Sequence, residues 1–451
     1  MLEEWNLETI PHPPGRDPEL LDAPNSDFEK PMQKLFSWSQ ELGPIFETQA
    51  PGFGMVVASG SEVCKDLFDD ERFEKFAGFG MEAFRPITGD GLFTARNEEE
   101  NWGLAHRILL PAFSKEALSR YHEPMRASVE RFIGYWRPQD GPIDVGAECT
   151  KLSLDIIGRA GFGYDFGTLG PEAGRHPYVD AMVEALAYSV LPPDLQAQRK
   201  SDFEAWVALL NQTVDLVIEE RKAQPNAEQR DLLDAMLTNV DPETGRTLPE
   251  DNVRYQITTF MVAGYGTTAS LISFAMMYLY SHPEVLAEVR AEAADVLEGR
   301  SPTFAEVPRL RALRRVIDET LRLWPPTPAF LRVAKCDTTV GGTHQVAKGG
   351  WAAVLTRALH HDAAWGPDRR EFRPSRFSSA EMKTRPAHIY KPFGTGPRMC
   401  IGRQFAIHAA TLALSALTES FDLQLSDDEW SVAEGGFFIP ENLTASLTPR
   451  A

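Results

Sequence analysis

A mainly α-helical fold with a minor β part is predicted by three patterns in the 451-residue sequence. From about residue 111 to residue 323, apolar side chains recur at the spacing of helices that bury one face. Inside that region, residues 251–280 form one long apolar run of helical character. Short apolar runs typical of strands stand before and after it, at 55–58, 338–340 and 351–355. The elements are therefore mixed at first, helical in the middle, and strands and loops near the end.

An irregular lead-in, residues 1–32, is expected before one large domain, residues 33–451. The lead-in is rich in proline and polar residues, which disfavour regular structure. Two loops are predicted within the helical region, at 224–227 and 241–245, because both contain proline among polar residues. Length alone suggests two or three domains, but the candidate site residues are scattered along most of the chain, which favours one.

Composition excludes several classes of function. The formal net charge of −20 argues against binding to nucleic acid or to anionic membrane surfaces. No run reaches the roughly 18 unbroken apolar residues that span a bilayer, and the N-terminus lacks the pattern of a secretory signal. Four cysteines in so long a chain do not make a disulfide framework. We therefore expect a cytoplasmic protein that has no membrane partner.

The most specific motif is the glycine-rich segment from Phe393 to Gly402, which holds Cys400 directly before a predicted helix at 401–417. Backbone N–H groups, the helix N-terminus and Arg398 would stabilise a thiolate there. The glycines allow the backbone to approach a flat ligand closely. A buried structural cysteine is the alternative, but the pattern Phe-x-x-Gly-x-Arg-x-Cys-x-Gly favours a thiolate that binds the iron of a haem.

With this motif the sequence resembles the cytochrome P450 family of haem-thiolate monooxygenases. It resembles most the haem domain of the bacterial fatty-acid hydroxylases that carry a fused flavin reductase, and segments 89–94 and 254–257 match as well. The resemblance implies the fold of that family as a single haem domain. It also implies haem b as the cofactor, Cys400 as the axial ligand of its iron, and O₂ as co-substrate of an oxidoreductase.

The segment 263–268 lies inside the long apolar run and contains Gly264 and Gly266. Each glycine costs a helix interior about 1 kcal/mol relative to alanine, so either something approaches the backbone or the helix bends there. A helix end at Gly264 with Thr267 as a cap is the alternative. The resemblance implies an O₂-binding groove here, and it implies that Thr267 delivers protons during oxygen activation.

Gly266 departs from the family, which usually has Asp or Glu before this threonine as a partner in proton delivery. A glycine cannot relay a proton. Water or a substrate group could replace the carboxylate, or the chemistry could need less assistance, as in oxidative ring closure. Thr267, Gly266 and Cys400 are thus the candidate catalytic residues.

Glu319 and Arg322 stand three residues apart, which places them on one face of a helix. Such a pair is commonly a solvated surface ion pair. With Arg376 in the segment 374–377, however, it matches a buried cluster that braces the haem loop in the family, a structural role.

Further haem contacts are implied by the resemblance. Lys75, Trp102 and Arg398 would contact the propionates, and Phe393 and Gly402 belong to the loop around the sulfur. His106, four residues after Trp102, would lie at the haem edge or act as a packing residue.

The substrate pocket implied by the resemblance is lined by apolar residues, namely Met81, Phe84, Phe93, Leu186, Ala263, Ala329 and Phe437. The fatty-acid hydroxylases hold the substrate carboxylate with an arginine and a tyrosine, and Phe53 and Val57 occupy the matching positions here. A carboxylate left unpaired in an apolar channel is costly. We therefore expect weak binding of long-chain fatty acids, and Phe53, Phe84, Phe93 and Phe437 favour a bulky, apolar substrate of secondary-metabolite type.

Several functions remain open at this point. The favoured one is oxidation of such a substrate by hydroxylation or ring closure. The alternatives are fatty-acid hydroxylation, a peroxide-driven reaction and, least favoured, a non-catalytic haem sensor. Since no flavin- or NADPH-binding segment is recognisable, electrons are expected from a separate ferredoxin or flavodoxin with its NAD(P)H reductase. Lys391, Arg398 and Arg403 offer positive charge to such a partner.

Overall fold

The computed structural model describes residues 4–7, 10–11, 30–50, 53–78, 81–139, 141–169, 176–189, 191, 193–223, 230–426, 429–434 and 436–450. Most of the predicted lead-in and the predicted loop at 224–227 lie outside these residues. The predicted turn at 241–245 is present, where the Gly245 N–H donates to the Asp241 carbonyl at 2.8 Å.

Helices dominate the described chain, as predicted. In order they are α1 (Pro31–Leu42), α2 (Ser61–Leu67), α3 (Arg85–Thr88), α4 (Glu100–Leu109), α5 (Lys115–Trp136), α6 (Val145–Phe162), α7 (Pro177–Ser189), α8 (Pro193–Gln198), α9 (Lys200–Ala223), α10 (Leu232–Thr238), α11 (Glu250–Ser281), α12 (Pro283–Leu297), α13 (Arg311–Leu323), α14 (Thr356–Leu359), α15 (Ser379–Met382) and α16 (Arg403–Ser420).

Short strands form the minor part. They are β1 (Ile45–Ala50), β2 (Phe53–Ala58), β3 (Phe73–Lys75), β4 (Pro142–Asp144), β5 (Ala329–Ala334), β6 (Thr338–Val340), β7 (His344–Val346), β8 (Trp351–Leu355), β9 (Phe421–Leu425), β10 (Ser431–Ala433), β11 (Ile439–Glu441) and β12 (Thr444–Pro449). The three predicted runs fall within β2, β6 and β8.

Contacts divide the chain into two compact units. The first unit comprises Met1–Phe76, Arg314–Cys400 and Val432–Ile439. It is built on a five-stranded sheet in the order β1-β2-β8-β5-β3, in which only β2 and β8 run parallel. Apolar residues of this sheet and of α2 make its core. The prediction that the chain forms a single domain stays a prediction.

The second unit comprises Ala77–Leu313, Ile401–Ser431 and Pro440–Ala451. Its central helix is α11, which packs against α6, α9 and α16. Among the described helices, α11 alone is long and apolar enough to cross a membrane, but 78% of its most apolar window is buried inside the protein. This burial is what a core helix shows. A separate sheet of three antiparallel strands, β4-β12-β9, completes the unit.

Candidate active site

The four cysteines have different surroundings. Cys64 and Cys149 are buried, whereas Cys336 and Cys400 are exposed. Burial raises the pKa of the Cys64 thiol far above its ordinary value and that of Cys149 to about 12, so both stay protonated. Cys336 lies in a bend between β5 and β6, without the glycines that flank Cys400. Cys400 is therefore the best placed of the four to act as a thiolate ligand.

The loop that carries Cys400 closes on itself through its backbone. The Cys400 N–H donates to the Phe393 carbonyl at 3.0 Å, and the Met399 N–H donates to the Gly396 carbonyl at 3.0 Å. Gly394 and Gly396 have φ of +75° and +70°, a region that side chains with a Cβ disfavour. The backbone hydrogen bond from Cys400 to Phe393 thus closes a tight loop, as expected from the motif.

Asp70 supports this loop, although the sequence analysis did not single it out. A Cβ on Gly396 would lie 2.4 Å from the Asp70 carboxylate, which would have to move to make room for it. Asp70 in turn accepts a hydrogen bond from the buried Arg332 at 2.7 Å. No local motif marks Asp70, because its partner lies 262 residues away in sequence.

Two cations of the first unit lie near each other. Lys75 ends β3, opposite Arg332 on β5. Burial, and then the positive charge of Arg398, lower the pKa of Lys75 to about 7. An anion bound beside Lys75 and Arg398 would relieve the repulsion between their positive charges. This arrangement fits the predicted contacts of Lys75 and Arg398 with carboxylates such as haem propionates.

The predicted cluster of Glu319, Arg322 and Arg376 is present, and all three side chains are fully buried. Arg322 binds Glu319 through two hydrogen bonds, of 2.7 and 2.8 Å, and Arg376 donates to the same carboxylate at 3.2 Å. Three backbone carbonyls, of His360, Arg369 and Glu371, accept from Arg322 at 2.9, 2.7 and 3.2 Å. The alternative of a solvated surface pair is therefore wrong.

His360 links this cluster to the thiolate loop, and the sequence analysis missed it. Its Nδ1 lies 3.2 Å from the Arg322 carbonyl, and its Nε2 lies 2.9 Å from the Lys391 N–H. The carbonyl can only accept and the N–H can only donate, so the ring is neutral with its proton on Nδ1. Burial lowers the pKa of His360 to about 3, which keeps it neutral. In the sequence, His360 is only a histidine that follows a predicted strand, and nothing there marks it as a bridge to the thiolate loop.

In the second unit, α4 presents Trp102 and His106 on one face, as the spacing predicts. Their rings stack with centroids 4.9 Å apart and planes at 20°. Both side chains are half-buried. The stack gives His106 a packing role; that it also lies at the haem edge, and that Trp102 contacts a propionate, remain predictions.

Helix α11 exposes a short face in the middle of a buried surface. Ala263 is exposed and Thr267 is half-buried, although most of the helix is buried. The Thr267 hydroxyl donates to the Ala263 carbonyl at 2.6 Å. This apolar face, which carries one hydroxyl, suits a small ligand such as O₂. Gly266 is buried within the helix, and its catalytic role remains a prediction.

Gly264 allows two helices to pack closely. The helix continues from Glu250 to Ser281, so the alternative of a helix end at Gly264 is wrong. A Cβ at Gly264 would lie 3.1 Å from Ile157 of α6. The Ser153 hydroxyl on α6 donates to the Gly264 carbonyl at 3.1 Å. Close packing of α6 on α11 is thus one reason why a glycine stands at this position despite its cost to the helix.

The predicted pocket residues are all partly or largely exposed. In the second unit, Phe93 is 40% exposed. The others that are exposed or half-buried there are Met81, Phe84, Leu186 and Ala263, and in the first unit Ala329 and Phe437 are half-buried. Each unit therefore presents an apolar surface that a ligand could cover.

Of the two positions matched to a carboxylate clamp, the structure describes the side chain of only one, Val57. Val57 is completely buried and packs in a core cluster with Leu35, Phe46 and Leu355. A buried valine has no group that could bind a carboxylate, and the absence of a clamp stays a prediction. The side chain of Phe53 lies outside the described residues.

These residues fit the haem that the sequence predicts. The first unit supplies an exposed cysteine in a glycine loop and a pair of neighbouring cations. A thiolate for the iron and cations for the two carboxylates are what a haem requires.

Comparison with known proteins agrees with this fit. The family model described as Cytochrome P450 matches residues 11–445. A bifunctional cytochrome P450/NADPH–P450 reductase of Bacillus subtilis is 39% identical over 98% of this chain. The self-sufficient cytochrome P450 monooxygenase CYP505E3 of Phanerodontia chrysosporium is 31% identical over 94% of it.

A solved structure of a cytochrome P450, CYP102L1, superimposes with a TM-score of 0.90 at 38% identity. The match covers 95% of this chain and 100% of that one. The chain spans about two fifths, 42% and 41%, of the lengths of the two curated relatives named above.

Proposed function

Because the chain belongs to the cytochrome P450 family, with haem as cofactor and a cysteine thiolate as axial ligand, we propose that it is a monooxygenase that hydroxylates fatty acids or similar long aliphatic substrates. The observation that carries the proposal is the similarity along almost the whole chain to haem domains of reductase fusions. Fatty-acid hydroxylases with fused reductases are the group that the sequence itself resembles.

This proposal replaces the expectation of a bulky substrate of secondary-metabolite type. That expectation rested on Phe53 and Val57 at the clamp positions and on the aromatic residues Phe84, Phe93 and Phe437, whereas the similarity to a P450/reductase fusion covers 98% of the chain. The apolar side chains predicted to line the pocket would suit an aliphatic chain as well as a ring. Hydroxylation of an aliphatic chain is therefore better supported than ring closure.

A bound thiolate-ligated haem would supply oxygen activation, because the thiolate favours O–O cleavage. Cys400 would hold the iron, and Lys75 and Arg398 would hold the carboxylates of the porphyrin. Thr267 holds a proton on Oγ1, which it donates to the Ala263 carbonyl. To pass that proton elsewhere, the hydroxyl must rotate away from this carbonyl and receive another proton from water.

One experiment tests the proposed substrate class. Palmitate is titrated into the purified haem protein while the low-to-high-spin shift of the Soret band is followed, with a rigid polycyclic hydrocarbon for comparison. Turnover is then measured with NADPH, a ferredoxin and its reductase. Saturable binding of palmitate with hydroxylated product supports the proposal. A shift with the polycycle alone would return the substrate class to bulky molecules.

A peroxide-driven reaction is a second candidate, favoured by Gly266 at the position of the usual acid. The same assay separates the two. Product formed with hydrogen peroxide alone, at a rate above that with NADPH and redox partners, would identify a peroxygenase. The need for separate redox partners and the cytoplasmic location remain part of this proposal.

A further inference from the structure

A chain of amide and carboxylate groups anchors the loop that carries Phe93. The Leu92 N–H donates to Gln256 Oε1 at 3.1 Å, and Gln256 Nε2 donates to Asn252 Oδ1 at 3.0 Å. Asn252 Nδ2 donates to Asp90 Oδ1 at 2.8 Å, and Asn101 Nδ2 donates to Asp90 Oδ2 at 2.6 Å. The chain, here called the Asp90 network, joins α4, the loop and α11.

The donors and acceptors of the Asp90 network can be assigned in only one way. Because the Leu92 N–H can only donate, Gln256 must present its oxygen to the loop, and its NH₂ group must face Asn252. Asn252 then presents its own NH₂ group to the carboxylate of Asp90. Gln256 and Asn252 are 0% and 1% exposed, so water cannot replace a lost partner easily. A group removed at one end leaves a buried polar atom unsatisfied at the next.

Close packing holds the same loop on α11. A Cβ on Gly89 would lie 2.3 Å from the Tyr255 ring, and one on Gly91 would lie 2.4 Å from the Thr259 hydroxyl. At the far end of the loop, the Thr94 hydroxyl donates to the Gly89 carbonyl at 2.8 Å. The backbone on both sides of Phe93 is therefore fixed, while its ring is 40% exposed.

We propose that Gln256 and Asp90 are positioning residues that fix the ring of Phe93 and thereby select which substrate carbon is oxidised. The inference rests on the proposed function for its substrate. An exposed aromatic ring limits the positions of a bound chain only if its own base does not move. The Asp90 network supplies that base, and neither Gln256 nor Asp90 needs to touch the substrate. Asn101 extends the network to α4, where it directly precedes Trp102.

The test compares the wild-type holoenzyme with Gln256→Leu, which keeps the volume but removes the acceptor for the Leu92 N–H. Asn101→Ala cuts the half-buried outer end of the network and keeps the test valid if Gln256→Leu fails to fold. Ser273→Ala is the matched control, since it removes a buried hydrogen bond of 2.7 Å on the same helix. The reduced carbon monoxide spectrum and the melting temperature are recorded for each variant.

We expect Gln256→Leu to change the ratio of palmitate hydroxylation positions at least threefold and the Kd of phenylimidazole at least fivefold. Asn101→Ala should shift both in the same direction but less, and Ser273→Ala should shift neither. In a Phe93→Ala background, Gln256→Leu should leave both readouts unchanged.

Unchanged readouts in Gln256→Leu, or equal shifts with and without Phe93, would overturn the inference, and so would equal shifts in Ser273→Ala. Should the wild type oxidise no palmitate, the proposed function fails by itself. The phenylimidazole titrations then still decide the positioning role.

Discussion

Cys400 has the environment that a reactive thiolate needs, and the other three cysteines do not. Its loop is closed by backbone hydrogen bonds, and two glycines adopt the left-handed conformation that the closure requires. The pKa values of Cys64 and Cys149 are raised by burial. We therefore expect the sulfur atom of Cys400 to be the ligand of the haem iron.

Replacement of this atom gives the first prediction. Cys400→Ser should abolish the red-shifted Soret band that the reduced carbon monoxide complex owes to thiolate ligation. Cys336→Ser, which changes the other exposed cysteine, should leave the band in place. A normal band in Cys400→Ser would show that another group ligates the iron.

Thr267 gives a second prediction at this scale. Thr267→Ala removes the hydroxyl that donates to the Ala263 carbonyl, so less substrate should be oxidised per NADPH. Because positioned proton donors contribute about 10²–10⁴-fold and water can substitute in part, we expect a loss of at least about tenfold. Thr267→Ser keeps the hydroxyl and should recover most of the coupling. Full coupling in Thr267→Ala would remove Thr267 from proton delivery.

At the scale of elements, one buried carboxylate joins α13 to the segment that leads to the thiolate loop. Glu319 accepts hydrogen bonds from Arg322 and Arg376 and from the Arg373 N–H at 2.9 Å. His360 then connects Arg322 with Lys391, two residues before Phe393. The loop is thus held from outside by groups that never contact its sulfur.

Loss of this charge should be costly. Glu319→Gln leaves the buried Arg322 guanidinium without its carboxylate and Arg376 with only that of Asp368, and breaking a buried ion pair costs about 3–5 kcal/mol. We expect the free energy of unfolding in urea to fall by about this amount and haem content to fall with it. Glu116→Gln, in an exposed pair with Arg120, should cost less than about 1 kcal/mol. Equal effects of the two substitutions would contradict the bracing role.

At the scale of the whole molecule, burial lowers the pKa of four buried histidines among the described residues, His122, His360, His361 and His408. Burial is the main cause that lowers the pKa of His360 and of His361 to about 3 and that of His408 to about 4. Their unfolded pKa is about 6.5, so between these values the unfolded chain binds more protons than the folded one. Stability is therefore complete above pH 6.5 and is lost progressively as the pH falls through this window.

The free energy of unfolding should fall by about 2 kcal/mol between pH 7 and pH 5 for each of His360, His361 and His408. The raised pKa of the buried Asp155 and Asp231 opposes this trend in part. The measurement is urea unfolding at both values of pH. His408→Gln should show a smaller difference between them than the wild type, since it removes one titrating group. An equal difference in both proteins would show that His408 titrates normally.

The sequence by itself determined the helical class, the strand runs, and the long apolar helix at 251–280 within one residue at each end. It also indicated candidate roles for Cys400, Thr267 and the Glu319 cluster. These features are local or follow a specific motif, so they need no knowledge of distant neighbours. The sequence did not determine that Asp70 supports Gly396, that His360 bridges to Lys391, or that Val57 is a core residue. Those outcomes depend on contacts between residues far apart in the chain, and only packing decides which side chain is buried and which backbone group it meets.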